Sequence, residues 1–304
     1  MDNIKNKLSI VCFGEVLFDI FPNHKKIGGA PLNVALRLTS LGVRTQIISR
    51  IGKDEIGEEL LDFINLKKVN TSLIQIDPVL RTGEVIVKLD NNGSASYTIN
   101  YPVAWDKIEC NPEAENTVKK ANAFVYGSLA SRDTVSYHSL SELINYAKYR
   151  IFDVNLRAPF YTEKTLSNLM MQSDFIKFND DELYEISAYL KSPFNSLEQN
   201  ILFISEKTNT ETICVTKENH GAVLLYKRKF YYNSGYKINV VDTVGAGDSF
   251  LAGLISKLLT GSNPQYAIDF ACALGALVAS NEGANPKIPN SKIIKFMNLT
   301  INQD

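Results

Sequence analysis

Apolar, β-branched runs of five to nine residues alternate along this chain with stretches whose apolar residues recur every three or four positions. "LSIVCF" (8–13) reads as a buried strand, and "PLNVALRLTSLG" (31–42) as a helix with Pro31 in its first turn and Gly42 as its stop. "RTQIISRIG" returns as strand and "DEIGEELLDFINLKK" as helix. Further strands are expected at "ANAFVYGS", "YRIFDVN", "DFIKFN", "TETICVT" and "AVLLYK". Helices fall between them at "DTVSYHSLSELINYAK", "DDELYEISAYL" and "SLEQNILFISEK". This alternation predicts an α/β fold, a mostly parallel sheet with helices on both faces.

One region breaks the rhythm. "TGEVIVKLDNNGSASYTINYPVAW" reads as two strands around the turn "DNNG". A hairpin does not join a parallel sheet easily, so it either packs at an edge or stands off as a flap over the carboxyl ends of the strands, where open α/β sheets bind ligands. No linker, repeat or low-complexity tract divides the chain, and one domain over 1–304 with a flap is expected.

Composition narrows the function. With 304 residues, 45% hydrophobic and a formal net charge of −1, the chain carries no basic surplus for nucleic acid. Cys12, Cys110, Cys214 and Cys272 form no close pair, and His24, His138 and His220 have no ligand spacing, so free thiols are expected rather than zinc or disulfides. Gly14, Glu15 and Asp19 interrupt the first apolar run too early for a signal peptide, and no run reaches the roughly 20 residues of a membrane helix. A soluble, cytoplasmic protein is the expectation.

The chemistry concentrates in "VVDTVGAGDSFLAGL" (240–254). "INVVDTV" is expected as a strand, and the apolar periodicity after "GAGD" as a helix. Gly245 and Gly247 leave the backbone bare where a helix begins, and the first amides of that helix have no internal partners. Neither a Walker loop nor a dinucleotide fingerprint fits the spacing. Asp248 has two readings. As an N-cap it stabilises the helix by about 1 kcal/mol. As a catalytic base it sits beside an anion hole made by the amides of Ala246, Gly247 and Asp248, with its pKa lowered by the helix terminus.

These residues resemble the ribokinase-like pfkB family of carbohydrate kinases. "DTVGAGDSF" is similar to its C-terminal signature, "IGGAPLNVALRLTSLG" with "RIGKDEIG" to its N-terminal one, and "GEVLFDIFP" to its first substrate loop. The resemblance implies a three-layer α/β/α fold with a β-lid from roughly 15–30 and 82–105. It implies Asp248 as base and Gly245, Ala246 and Gly247 as the anion hole. Asp19, Gly28, Gly29 and Asn33 are implied as sugar ligands, with Arg157 near the transferred phosphate. Asn179 and Glu182 would hold Mg-ATP, Glu182 meeting Mg2+ through water. Thr216, Gly221 and Asn281 would line the nucleotide. The backbone at Asp242 and Thr243 would take a monovalent cation such as K+.

Plainer readings stand beside these. Asn179 and Glu182 also have capping-box spacing, Arg157 could be a surface ion pair, and Tyr97, Tyr101 and Trp105 could be hairpin packing rather than sugar stacking. "TKENHG" departs from the family's T-x-G-x-x-G by placing Glu218 where a glycine is expected, which requires its side chain to turn away from phosphate. "SYTINYPVAWD" and "GEVLFDIFP" look most like fructokinase members, so fructose and ATP are the expected small-molecule partners, with Tyr97 and Trp105 against the sugar. A 2-keto-3-deoxygluconate kinase needs an extra cation, from Arg157 or Arg132, and ribokinase is a further alternative. A sugar-binding regulator without activity is the reading from another class. The exposed edge of a flap hairpin leaves open a homodimer through the lid.

Overall fold

The computed structural model describes residues 8–89 and 95–301. The chain opens with β1 (Ser9–Phe13), β2 (Leu17–Ile20), β3 (Lys25–Gly28), α1 (Ala30–Ser40), β4 (Arg44–Gly52), α2 (Glu55–Leu66) and β5 (Ile74–Asp77). β6 (Gly83–Leu89) and β7 (Ala95–Ile99) follow, then α3 (Pro112–Lys120), β8 (Ala123–Gly127) and α4 (Thr134–Ile144). The middle holds β9 (Arg150–Asp153), α5 (Glu163–Met171), β10 (Phe175–Asn179), α6 (Asp180–Tyr189), α7 (Leu197–Thr208) and β11 (Thr212–Thr216). β12 (Ala222–Tyr226), β13 (Lys229–Asn233), α8 (Ala246–Leu258), α9 (Pro264–Ala279) and α10 (Asn290–Ile301) complete it.

Nine strands form one sheet in the order β13-β12-β11-β10-β9-β8-β1-β4-β5. The run from β5 to β11 is parallel, and β12 and β13 return antiparallel. Its inner strands are apolar on both faces, as a doubly covered sheet requires. Alternation sorts them: Phe13, Phe124, Tyr126, Phe152 and Phe178 pack on one side, and Cys12, Val125, Ile151, Phe175 and Cys214 on the other. The four cysteines are free thiols. Among the described residues no helix is long and apolar enough to cross a membrane.

A second sheet, ordered β3-β2-β6-β7, draws on two separate stretches of chain. β6 and β7 pair antiparallel as the hairpin pattern requires; the DNNG turn itself lies outside the described residues. Asp54 anchors the start of β6. Its carboxylate accepts from the N–H of Gly57 at 2.8 Å and from the N–H and hydroxyl of Thr82 at 2.8 and 2.6 Å. This one side chain caps α2 and ties the small sheet to the end of β4.

Two expected placements are corrected. "INVVDTV" is not a strand: residues 238–244 run irregularly without sheet pairing, held by the N–H groups of Val241 and Asp242 on the Ala279 carbonyl. Val240 and Val241 are exposed, so their β-branched character serves no sheet. Trp105 is not on the hairpin either. The small sheet ends at Ile99, and Trp105 lies in a 3-10 helix over 104–107, 1% exposed within the main core.

That helix is built around a buried ion pair. Arg132 Nε donates to Asp106 Oδ1 at 2.6 Å and Nη2 to Oδ2 at 2.9 Å, while the guanidinium stacks 3.9 Å from the centre of the Trp105 ring. Burial pushes the Asp106 carboxyl up although Arg132 pulls against it, so the pair does not fully repay its desolvation. Removing one partner strands the other charge. Asp106→Ala should therefore lower the unfolding free energy by about 3–5 kcal/mol, read from urea denaturation. A loss under about 1 kcal/mol would show that the pair is screened like a surface one.

Candidate active site

The parallel strands deliver their carboxyl ends to one edge of the large sheet, and the charged residues gather there. β1 leads into Gly14 and Glu15, β9 ends at Asp153 and β10 carries Lys177. Helices α1 and α8 abut beside them. Gly245, with φ +73°, turns the chain into α8, and a Cβ there would meet the Ala284 Cβ at 2.5 Å. A Cβ on Gly247 would face Lys177 Nζ at 3.6 Å. The missing side chain thus opens a cradle between the start of α8 and an ammonium, a fit for a phosphoryl group.

The hole is narrower than expected. Ala246 spends its N–H on the Thr243 carbonyl at 3.2 Å, closing the turn. Gly247 and Asp248 then supply the bare first-turn amides of α8.

Asp248 is not the N-cap. Gly245 holds that place, no side chain caps the helix, and Asp248 stands in the first turn. Its Oδ2 accepts from Asn33 Nδ2 at 2.8 Å. The expected lowering of its pKa is also overturned. Burial and the nearby Asp153 push it up to about 6, against the pull of Asn33, Lys177 and Arg157. Desolvation outweighs the helix terminus here. The result is a carboxylate that is ionised at neutral pH yet more basic than an exposed aspartate.

Around it stand groups that sequence reasoning passed over. Lys177 Nζ donates to Asp153 Oδ1 at 2.9 Å, and both are buried. Burial opposes the lysine's charge, but Asp153, Glu182 and Asp248 together push its pKa above the usual value. The signal was a lysine inside the apolar strand "DFIKFN", a residue type almost never buried unpaired. Glu15 is buried, accepts from the Ala30 N–H at 3.3 Å, and is pushed up to about 7, chiefly by burial. Arg37 crosses from α1 to α8, donating from Nε to Ser249 Oγ at 2.9 Å and from Nη1 to the Pro286 carbonyl at 3.2 Å. Burial lowers its pKa to about 10.

The small sheet brings Asp19 to the same edge. Burial raises its pKa to about 6, while Arg157 and Lys26 pull it down. A Cβ on Gly28 would come within 2.6 Å of Asp19 Oδ2. One on Gly29, at φ +108°, would strike the Glu15 carbonyl at 2.4 Å. The double glycine therefore leaves room for the Asp19 carboxylate and for the main chain at Glu15. Arg157 is exposed, and its charge acts on Glu15, Asp19 and Asp248. Tyr97 lies on β7, but its side chain is outside the described residues. Trp105 is sealed in the core. Arg132, weighed as a cation for a sugar acid, is committed to Asp106.

On the nucleotide side, Asn179 and Glu182 form the full capping box. Asn179 Oδ1 accepts from the Glu182 N–H at 2.7 Å, and Glu182 Oε2 from the Asn179 N–H at 2.8 Å. Glu182 Oε1 also accepts from the Leu156 N–H at 2.9 Å. Both carboxylate oxygens thus hold main chain. Thr216 ends β11 and donates to the Phe178 carbonyl at 3.3 Å. Asn281 donates to the Leu277 carbonyl at 2.7 Å as α9 ends. Asp242 accepts at 3.0 Å from the N–H groups of Val244 and Gly283 and from Lys26 Nζ, so an ammonium already stands beside the Asp242–Thr243 turn.

Glu218 is exposed, and its φ of +45° lies in the left-handed region. Gly221 has φ +79°, and a Cβ there would meet the Asn233 carbonyl at 2.0 Å. The two positions of T-x-G-x-x-G thus differ: one has space for a side chain and the other has none. Glu218→Gly should leave the thermal midpoint unchanged or raise it, since a non-glycine there carries about 1 kcal/mol of strain. Gly221→Ala should lower it by several degrees, by scanning fluorimetry; equal effects would refute this distinction.

Comparison with known proteins gives the family and the fold. The pfkB family carbohydrate kinase profile matches residues 1–291. Fructokinase-2 of Solanum habrochaites is 26% identical over 312 residues, covering 93% of each chain. The crystal structure of a Xylella fastidiosa fructokinase with bound ATP superposes with a TM-score of 0.85 at 22% identity, covering 96% of this chain and 99% of that one. A double mutant of the Vibrio cholerae O395 fructokinase, in its fructose-, ADP- and potassium ion-bound form, gives 0.82 at 23% identity, covering 95% and 98%. These two likenesses are of the overall fold.

Proposed function

Since the chain belongs to the pfkB family of carbohydrate kinases, and is therefore an ATP-dependent sugar kinase, we propose that it is a fructokinase. The transfer would go from the γ-phosphate of ATP to a primary hydroxyl of fructose, with Asp248 as the base. The observation that carries this is the pairing of a half-buried carboxylate, its pKa raised to about 6, with the bare amides of the first turn of α8.

In this reading the sugar lies between Asp19, Asn33 and the double glycine of the small sheet. An acid and an amide pair well with neutral hydroxyls. Arg132 is unavailable to a sugar acid, which leaves exposed Arg157 as the sole cation of those weighed and disfavours 2-keto-3-deoxygluconate. The curated fructokinases that match along the whole chain support the same choice. As the new O–P bond forms, the hydroxyl proton passes to Asp248 and the bridging oxygen leaves with ADP. The amides of Gly247 and Asp248 and the Lys177 ammonium meet the charge on the moving phosphoryl group. A magnesium ion, when bound with the nucleotide, would screen its phosphates; Glu182 and Asp153, whose Oδ2 is buried without a partner, would hold it through water. Closure of the small sheet over the sugar would exclude water and limit ATP hydrolysis. Lys26, reaching from β3 to Asp242, is the contact from that sheet to the phosphate side.

ADP release with fructose, ribose, 2-keto-3-deoxygluconate and adenosine tests the sugar; a kcat/KM for fructose below that for any other would overturn it. Asp248→Asn should cut turnover roughly 10²–10⁴-fold while sugar still binds, and near-normal turnover would remove Asp248 as base. Because the base works ionised, kcat/KM should fall as pH drops through about 6 and level off above.

A further inference from the structure

Asn285 lies in the loop between α9 and α10, far from every sequence motif, yet it touches the catalytic corner. Its Nδ2 donates to Asn33 Oδ1 at 2.8 Å, and Asn33 Nδ2 donates in turn to Asp248 Oδ2 at 2.8 Å. The loop is docked on both sides of this contact. Gly283 donates its N–H to Asp242, Ala284 packs on Gly245, and the Pro286 carbonyl accepts from Arg37. Asn285 is therefore held in place by its neighbours, while its own Oδ1 is buried without a partner.

We propose that Asn285 is a positioning residue for phosphoryl transfer, locking the Asn33 amide so that its NH2 always faces the Asp248 carboxylate. This rests on the reading of Asp248 as the base. An asparagine side chain has two faces, and either could turn to Asp248. Toward an ionised carboxylate only the NH2 face is favourable. Toward a protonated carboxyl, the carbonyl face can accept the acid's hydrogen, and that inverted pairing stabilises the useless neutral form. Inverting Asn33 would oblige Asn285 to turn with it, and the Asn285 NH2, with two donors, would then be buried where its Oδ1 now sits without a partner. Asn285 thus resists the inversion, because an oxygen is the lesser group to leave unpaired there. The charged groups facing Asp248 are Asp153 on β9, Lys177 on β10, Arg157 beyond β9 and Glu15 after β1. None of them contacts the Asn33 amide, so the relay is a separate control on the same carboxylate.

The test is a kcat–pH profile of Asn285→Leu, which removes the donor, and Asn285→Asp, which is nearly isosteric and puts an acceptor opposite the Asn33 carbonyl. Thermal midpoints identify which variants fold, and the closer-shaped Asn285→Asp carries the test if Asn285→Leu does not. The acid limb is expected to move up by roughly half a pH unit, further for Asp than for Leu, with KM for ATP within about twofold. An unmoved acid limb in a folded variant, or a raised KM for ATP with kcat unchanged, would overturn the proposal. In an Asp248→Asn background the Asn285 substitutions should have no further effect on residual turnover; an undiminished effect there would also overturn it. Near-normal turnover of Asp248→Asn alone would instead sink the assignment of the base.

Discussion

A carboxylate in the first turn of a helix can serve a neighbouring ligand only if something on its far side fixes it, and α1 does this for α8. Asn33 bonds Asp248 and, one turn on, Arg37 bonds Ser249. The contact is polar on both sides and largely sealed from water, so each bond is stronger than its counterpart at the surface. It also joins the two signatures of the chain into one object. The glycines of each signature make room for its surroundings: Gly28 for the Asp19 carboxylate, Gly29 for the Glu15 main chain, Gly245 for Ala284, and Gly247 for the space before Lys177.

The electrostatics of the corner follow from burial more than from the helix terminus. Asp19, Glu15 and Asp248 all have raised pKa values with desolvation as the leading cause. Lys177 and Arg157 counter them. A cluster of carboxyl groups raised by burial and countered by specific cations is the kind of place where chemistry is to be looked for.

Much of this was legible in the sequence, because alternating apolar runs encode a doubly covered sheet and the GAGD turn encodes a bare helix start. The failures have physical causes. "INVVDTV" has strand composition, but Val240 and Val241 face outward beside the phosphate turn instead of pairing. The pKa of Asp248 was predicted from its helix, whereas its surroundings come from β9, β10 and α1. Trp105 looked like part of the hairpin because the pattern continues past Ile99, where the chain has already turned into the core. Asn285 left no trace at all: its meaning comes only from a contact across 252 residues.

That distance has a bearing on how the protein is made. Lys26 meets Asp242, Asn33 meets Asp248 and Asn285, and Arg37 meets Ser249, each across more than 200 positions. During translation the sugar-side half emerges early, and the strands through β11 can assemble behind it. The α1 groove stays uncovered until the ribosome has released α8 and the loop after α9. A nascent chain stalled before that point carries polar side chains cut to fit a partner that does not yet exist.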